Sequence, residues 1–122
     1  MLVVEDEALI RMFATEIATE AGFRCIEASS AEEAMRLLET DTSIGIVFTD
    51  IHMAGAMDGL EMSHVVRGRW PPVRFLIVSG HCKVEPHLLP SESRFFSKPY
   101  DADDIVASLN ALADDWTRIT TH

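Results

Sequence analysis

The stretch "IVFTDIHMAGAMDG", residues 46–59, runs through apolar β-type positions, stops on a carboxylate at Asp50, and passes at once into a loop with two glycines. The run begins at Ile44, so the spacing predicts a strand over 44–49 that is buried rather than half exposed. Aspartate is a common turn former and helix cap, and a strand-end aspartate by itself asserts little. Its meaning depends on what else in the chain arrives at the same place.

Outward from this strand the chain alternates. Leu2-Val3-Val4 is a short apolar strand, and residues 8–21 form a helix with Leu9, Phe13 and Ile17, together with Ile10, Ala14 and Ala18, on one face. Gly22 is its stop. Residues 24–28 alternate as an edge strand does, and Ser30 with Glu33 makes a capping box that opens a helix burying Ala34, Leu37 and Leu38. Asp58 caps a helix running to about Arg67. Residues 73–78 and 94–97 are further strands, and Asp101 caps a last helix carrying Ile105, Leu109 and Leu112. Between those last two strands lie Pro86 and Pro90. Proline inside a helix costs about 3 kcal/mol, so the fourth helix is expected to be short or irregular, starting near Pro86 and stopping before Pro90. Strands alternating with helices imply a parallel sheet covered on both faces. Right-handed crossovers leave a doubly wound five-stranded sheet of order 2-1-3-4-5, flavodoxin-like, as the leading topology.

A chain of 122 residues is one domain by length, with a core over about residues 1–116 and a short tail at 117–122. It contains no apolar run near the roughly 20 residues that cross a bilayer, so the expected location is cytoplasmic and no membrane partner is expected. Cys25 and Cys82 have no CxxC spacing, which excludes a disulfide scaffold and a zinc site. With 20 acidic and 10 basic residues the formal net charge is −10, which repels phosphate backbones and argues against direct nucleic-acid binding. Clustered carboxylates do suit a divalent cation.

In an open parallel sheet, ligands bind beyond the carboxyl ends of the strands. Those ends carry Glu5 and Asp6 after the first strand, Asp50 after the third, Ser79 after the fourth and Lys98 after the fifth. Taken singly, Asp6 reads as a cap, Ser79 as a turn residue and Lys98 as a solvated charge. Together they place three acids, a hydroxyl and an amine on one rim. Acids so gathered repel one another unless a cation sits among them, and the lysine points to an anion beside it.

The motifs "LVVEDE", "TDIHMAGAMDG", "IVSGH" and "FFSKPY" resemble the receiver domain of two-component response regulators, over nearly the whole chain and in the family's order. The resemblance implies a phosphoaspartate switch. Asp50 matches the phosphoacceptor, charged by a sensor histidine kinase or a histidine phosphotransfer protein. Asp6 matches a direct Mg²⁺ (or Mn²⁺) ligand, Glu5 its neighbour acting through water, and the backbone carbonyl of His52 a further ligand. Lys98 matches the lysine that pairs with the phosphoryl oxygens, Ser79 the hydroxyl that moves toward them, and Phe95 the aromatic that turns inward. His52 and His81 occupy positions that tune hydrolysis, and the Lys98-Pro99 bond is expected to be cis. The implied role is a phosphoacceptor and signalling domain rather than an enzyme, beyond self-phosphorylation from small donors and self-dephosphorylation. Its output is docking to an unidentified protein, a possible homodimer, or relay of phosphate onward.

The chain departs from the family at Ala54, where proline is usual, in a loop one residue longer than usual, and at Phe95 in place of a tyrosine. A degenerate receiver used only for docking is one alternative. An aspartate-nucleophile phosphatase is another, but the first acids read Glu5-Asp6-Glu7 rather than D-x-D-x-T. A flavin module lacks its phosphate loop here.

Overall fold

A computed structural model describes residues 1–53, 55–80, 86–90 and 93–120. Five strands, β1 (Leu2–Val4), β2 (Ile26–Ala28), β3 (Ile46–Asp50), β4 (Arg74–Ser79) and β5 (Ser93–Ser97), pair in parallel in the order β2-β1-β3-β4-β5. The connections carry helices α1 (Ala8–Glu20), α2 (Ala31–Thr40) and α3 (Gly59–Arg69), a 3₁₀ turn at Pro86–Leu88, and, after β5, α4 (Ala102–Thr120). Among the described residues no helix is long and apolar enough to cross a membrane.

Alternation along the strands divides the core in two. Leu2, Val4, Val47, Phe75 and Ile77 face α2 and α3, where Ala34, Leu38, Met62 and Val66 meet them. Val3, Ile46, Phe48, Leu76 and Val78 face α1 and α4, against Ala14, Ile17, Ala18, Ile105, Leu109 and Leu112. Strands β3 and β4 are buried throughout, as strands with neighbours on both sides and helices on both faces must be.

Local chemistry sets the helix ends. Ser30 Oγ accepts from Glu33 N at 3.1 Å, and the Glu33 carboxylate accepts from Ser29 N at 2.8 Å, closing a capping box one residue wider than the usual pattern. Asp58 accepts from Glu61 N, and Asp101 from Asp103 N, each at 2.8 Å. Gly22 takes φ of +98°, and the Phe23 N–H reaches back to the Ala18 carbonyl at 3.0 Å, so α1 ends in a Schellman turn.

Several sequence expectations change. Strand β3 spans Ile46–Asp50 rather than 44–49, and β4 spans Arg74–Ser79 rather than 73–78, so both strands reach the acid or hydroxyl that ends them. Strand β2 starts at Ile26 rather than Arg24, because its one neighbour, β1, offers three residues to pair with. Helix α3 continues to Arg69, and α4 runs to Thr120, through most of the expected tail. The apolar face of α1 is only partly buried: Ala14, Ile17 and Ala18 are inside, whereas Leu9 is 75% and Phe13 64% exposed. The helix rests on the sheet through Ala14, Ile17 and Ala18, and the expected apolar face is left open toward its N-terminal half. The irregular fourth helix is as expected over residues 86–90; positions 81–85, 91 and 92 lie outside the described residues.

Trp70 and Trp116 both lie at the end of the sheet opposite the strand carboxyl ends, lining a cavity of about 130 Å³ with Leu38, Ile44 and Val73. The Trp116 indole lies directly on Gly45, where an added Cβ would stand 2.5 Å from a ring carbon. Gly45→Ala should therefore push the indole off β3 and cost about 1–3 kcal/mol, as overpacking typically does. Urea denaturation followed by tryptophan emission checks this, and an unchanged midpoint with unchanged emission would count against it.

Candidate functional site

Each strand delivers its terminal residue to one edge. Asp50 is the last residue of β3, 8% exposed, and Ser79 is the last of β4, 1% exposed. Lys98 follows β5, with its N–H bonded to the Ser79 carbonyl at 2.9 Å, and the Lys98-Pro99 bond is cis as expected. Its ammonium crosses the end of β4 to reach Asp50 Oδ2 at 2.5 Å and lies 3.5 Å from Glu5 Oε1. Asp50 Oδ1 accepts from the His52 N–H at 3.1 Å. Glu5, 4% exposed, accepts from the Glu7 N–H at 3.0 Å.

These contacts set the charges. Burial pushes the Glu5 carboxyl up to about 7; the Glu7 N–H opposes the rise, and neighbouring Asp6 and Asp50 add to it. Burial works against the Lys98 ammonium, but Asp50 and Glu5 outweigh it and hold its pKa above the ordinary lysine value. Among the described residues, one partly buried cation thus serves two carboxylates.

The loop after β3 brings a further acid back to this edge. Gly59 N donates to the Ile51 carbonyl at 2.8 Å, and a Cβ on Gly59 would overlap the Asp50 carbonyl oxygen. Only glycine lets the chain return this closely, and it sets Asp58 in a polar cavity of about 330 Å³ lined also by Asp6, Glu7, His52 and Met53. Sequence reasoning took Asp58 only as a cap. It also passed over Tyr100, which packs on Phe48 with ring centroids 6.2 Å apart and whose pKa is raised by burial. The signal for Tyr100 was its position two residues after Lys98.

Among the described residues no three His, Cys, Asp or Glu side chains converge into a ready-made metal cage. The donors present are hard oxygens facing a roomy polar cavity, a set that fits a cation which keeps several of its waters, as Mg²⁺ does. Of the expected residues, Glu5, Asp50 and Lys98 are in contact and Ser79 and Asp6 share their edge. Phe95 is half-buried on β5, beside Ile77 of β4 and on the α2/α3 face of the sheet. His81 lies outside the described residues. A second opening of about 440 Å³, lined by Leu9, Ile10, Phe13, Lys98, Pro99 and Tyr100, adjoins the site from α1.

Comparison with known proteins agrees with this geometry. The family model described as "Response regulator receiver domain" matches residues 1–110. A putative NtrX-like response regulator of Rickettsia bellii is 29% identical over 118 residues, covering 93% of this chain and 24% of that protein. The sensor kinase CckA of Brucella abortus is 27% identical over 93% of this chain and 12% of its own length. The chain therefore spans about a quarter or less of these relatives. The crystal structure of a response regulator receiver protein from Sinorhizobium medicae superposes with a TM-score of 0.87 at 26% identity, covering 94% of each chain.

The Glu5 carboxyl generates a pH dependence. An unfolded glutamate releases its proton near 4.5, whereas the folded one holds it to about 7. Between these values the folded chain binds more protons, so stability falls as pH rises through the window. In metal-free protein, the stability difference between wild type and Glu5→Gln should shift against wild type from pH 4.5 to 7. Parallel pH profiles of the two urea midpoints would contradict the assignment.

Proposed function

The chain belongs to the response regulator receiver domain family, and from that premise we propose that Asp50 is the residue through which it takes part in two-component signalling, accepting a phosphoryl group from a phosphohistidine. The observation that carries the reading is the buried Asp50 carboxylate held between the Lys98 ammonium and the His52 N–H at an acidic strand edge.

A carboxylate is a weak nucleophile, so the protein's task is to aim it and balance charge. The Asp50 oxygen attacks phosphorus, an O–P bond forms, and the N–P bond to the donor imidazole breaks with its electron pair leaving on nitrogen. Lys98, already on Asp50, follows the negative charge onto the phosphoryl oxygens. Asp6, Asp50 and the His52 carbonyl would hold Mg²⁺, with Glu5 adding charge through water; when bound, the cation neutralises developing charge on the phosphoryl oxygens. The new dianion then calls for donors, and the Ser79 hydroxyl, one strand end away, would move to supply one. Its displacement is the step that Phe95 would follow, and the family resemblance assigns the tuning of hydrolysis to His52 and His81. The setting in which such chemistry runs is cytoplasmic.

The donor must approach over Asp50, and the apolar opening beside Lys98 borders that path. Exposed Leu9 and Phe13 on α1, with Pro99 and Tyr100, offer a surface for the apolar face of a donor helix.

Incubation with acetyl phosphate and Mg²⁺ should add one hydroxylamine-labile phosphoryl group, seen by intact mass. Asp50→Asn should abolish the gain while keeping the fold; a fully labelled variant would refute the assignment. Phe13→Glu should leave labelling by acetyl phosphate unchanged and slow transfer from a phosphorylated histidine kinase at least tenfold, about 1.4 kcal/mol. Equal rates from the kinase would remove α1 from the docking surface.

A further inference from the structure

We propose that Arg11 is a positioning residue for the acidic half of this site, fixing the backbone where β1 gives way to α1. The proposal rests on the phosphoacceptor reading above and adds to it a side chain that does not touch the phosphoryl group.

Glu5 is the first residue past β1 and is held on every side. Its N–H donates to the Ala28 carbonyl at 3.0 Å, continuing the ladder to β2. Its carboxylate takes the Glu7 N–H at 3.0 Å and faces Lys98 at 3.5 Å. Its carbonyl accepts from Arg11 Nη1 at 2.8 Å. This last contact bears on the cation side of the site, because the Glu5 carbonyl and the Asp6 nitrogen belong to one rigid peptide plane. Holding the carbonyl fixes the direction in which Asp6 leaves the strand, and so where its carboxylate stands relative to Asp50.

The guanidinium is itself fixed. Arg11 belongs to the first turns of α1, its own N–H bonded to the Glu7 carbonyl at 2.9 Å. Its Nε meets Glu27 Oε1 on β2 at 3.2 Å, with the arginine side chain 21% exposed and the glutamate 48%. Two faces of one planar fork are therefore engaged, and a single side chain ties helix, strand edge and turn together. The Glu27 contact alone is a partly exposed ion pair of the kind that contributes little. The carbonyl contact is the one with a consequence for the site, since outer contacts of this sort orient the groups that meet a cation.

The test uses the whole chain and reads Mg²⁺ affinity by isothermal titration together with labelling by acetyl phosphate. Arg11→Met keeps the aliphatic stem and removes the fork. It should weaken Mg²⁺ binding about tenfold or more, the usual scale for losing an orienting partner, and slow labelling in parallel. Glu27→Gln should leave both within about twofold of wild type, since the exposed ion pair contributes little. Arg11→Lys, which keeps charge and stem without the fork, should fall between wild type and Arg11→Met. Wild-type Mg²⁺ affinity in Arg11→Met, even with a lowered melting temperature, would show a merely structural role and overturn the proposal. So would wild-type affinity in Arg11→Lys, which carries the test alone if the methionine variant does not fold. Failure of the wild-type chain to label at Asp50 would instead strike the phosphoacceptor reading, so the two failures are distinguishable.

Discussion

A single ammonium group organises the functional edge. Lys98 follows β5, yet its charge is spent beyond β4, on Asp50 of β3 and Glu5 next to β1. Carboxylates gathered in a half-buried edge would otherwise repel one another or take up protons, and Glu5 shows the second tendency. The lysine makes the arrangement tolerable without cancelling it.

The rest of the fold serves that geometry. Strands β3 and β4 sit at the centre of the sheet and are buried along their length, so the two residues that end them, Asp50 and Ser79, have little freedom to drift. The loop after Asp50 wanders and then returns, because Gly59 lies against the Asp50 carbonyl where any side chain would collide. That return places the start of α3, with its capping Asp58, beside the same cavity as Asp6. Helix α1 begins immediately after the acidic turn and leaves Leu9 and Phe13 outside the core. These two side chains line the opening that adjoins Lys98.

The region between β4 and β5 obeys a different constraint. His64 of α3 bonds through Nε2 to the Leu88 carbonyl at 2.6 Å, and Pro90 is buried beside it in sequence. Within the described residues 86–90 the chain forms a 3₁₀ turn tethered to α3. Pro86 and Pro90 lack the amide donors that a continuous helix through these positions would need.

Much of this was legible in the chain alone. Periodicity gave the order of strands and helices, because a face that packs on a sheet must repeat with the geometry of its own backbone. Ser30, Asp58 and Asp101 announced helix starts, since capping is a bond between near neighbours. The five rim residues followed from topology, which carries every strand end of a parallel sheet to one edge. Other features depended on tertiary structure because they are set by where the elements pack and which groups that packing buries. The burial of Ala14 and Ala18 with exposure of Leu9 and Phe13 depends on where α1 rests on the sheet. The fit of Trp116 against Gly45 depends on how far α4 extends. The hold of Arg11 on the Glu5 carbonyl and the raised pKa of Glu5 arise from which groups the fold removes from water and what it leaves beside them, a quantity no local pattern encodes.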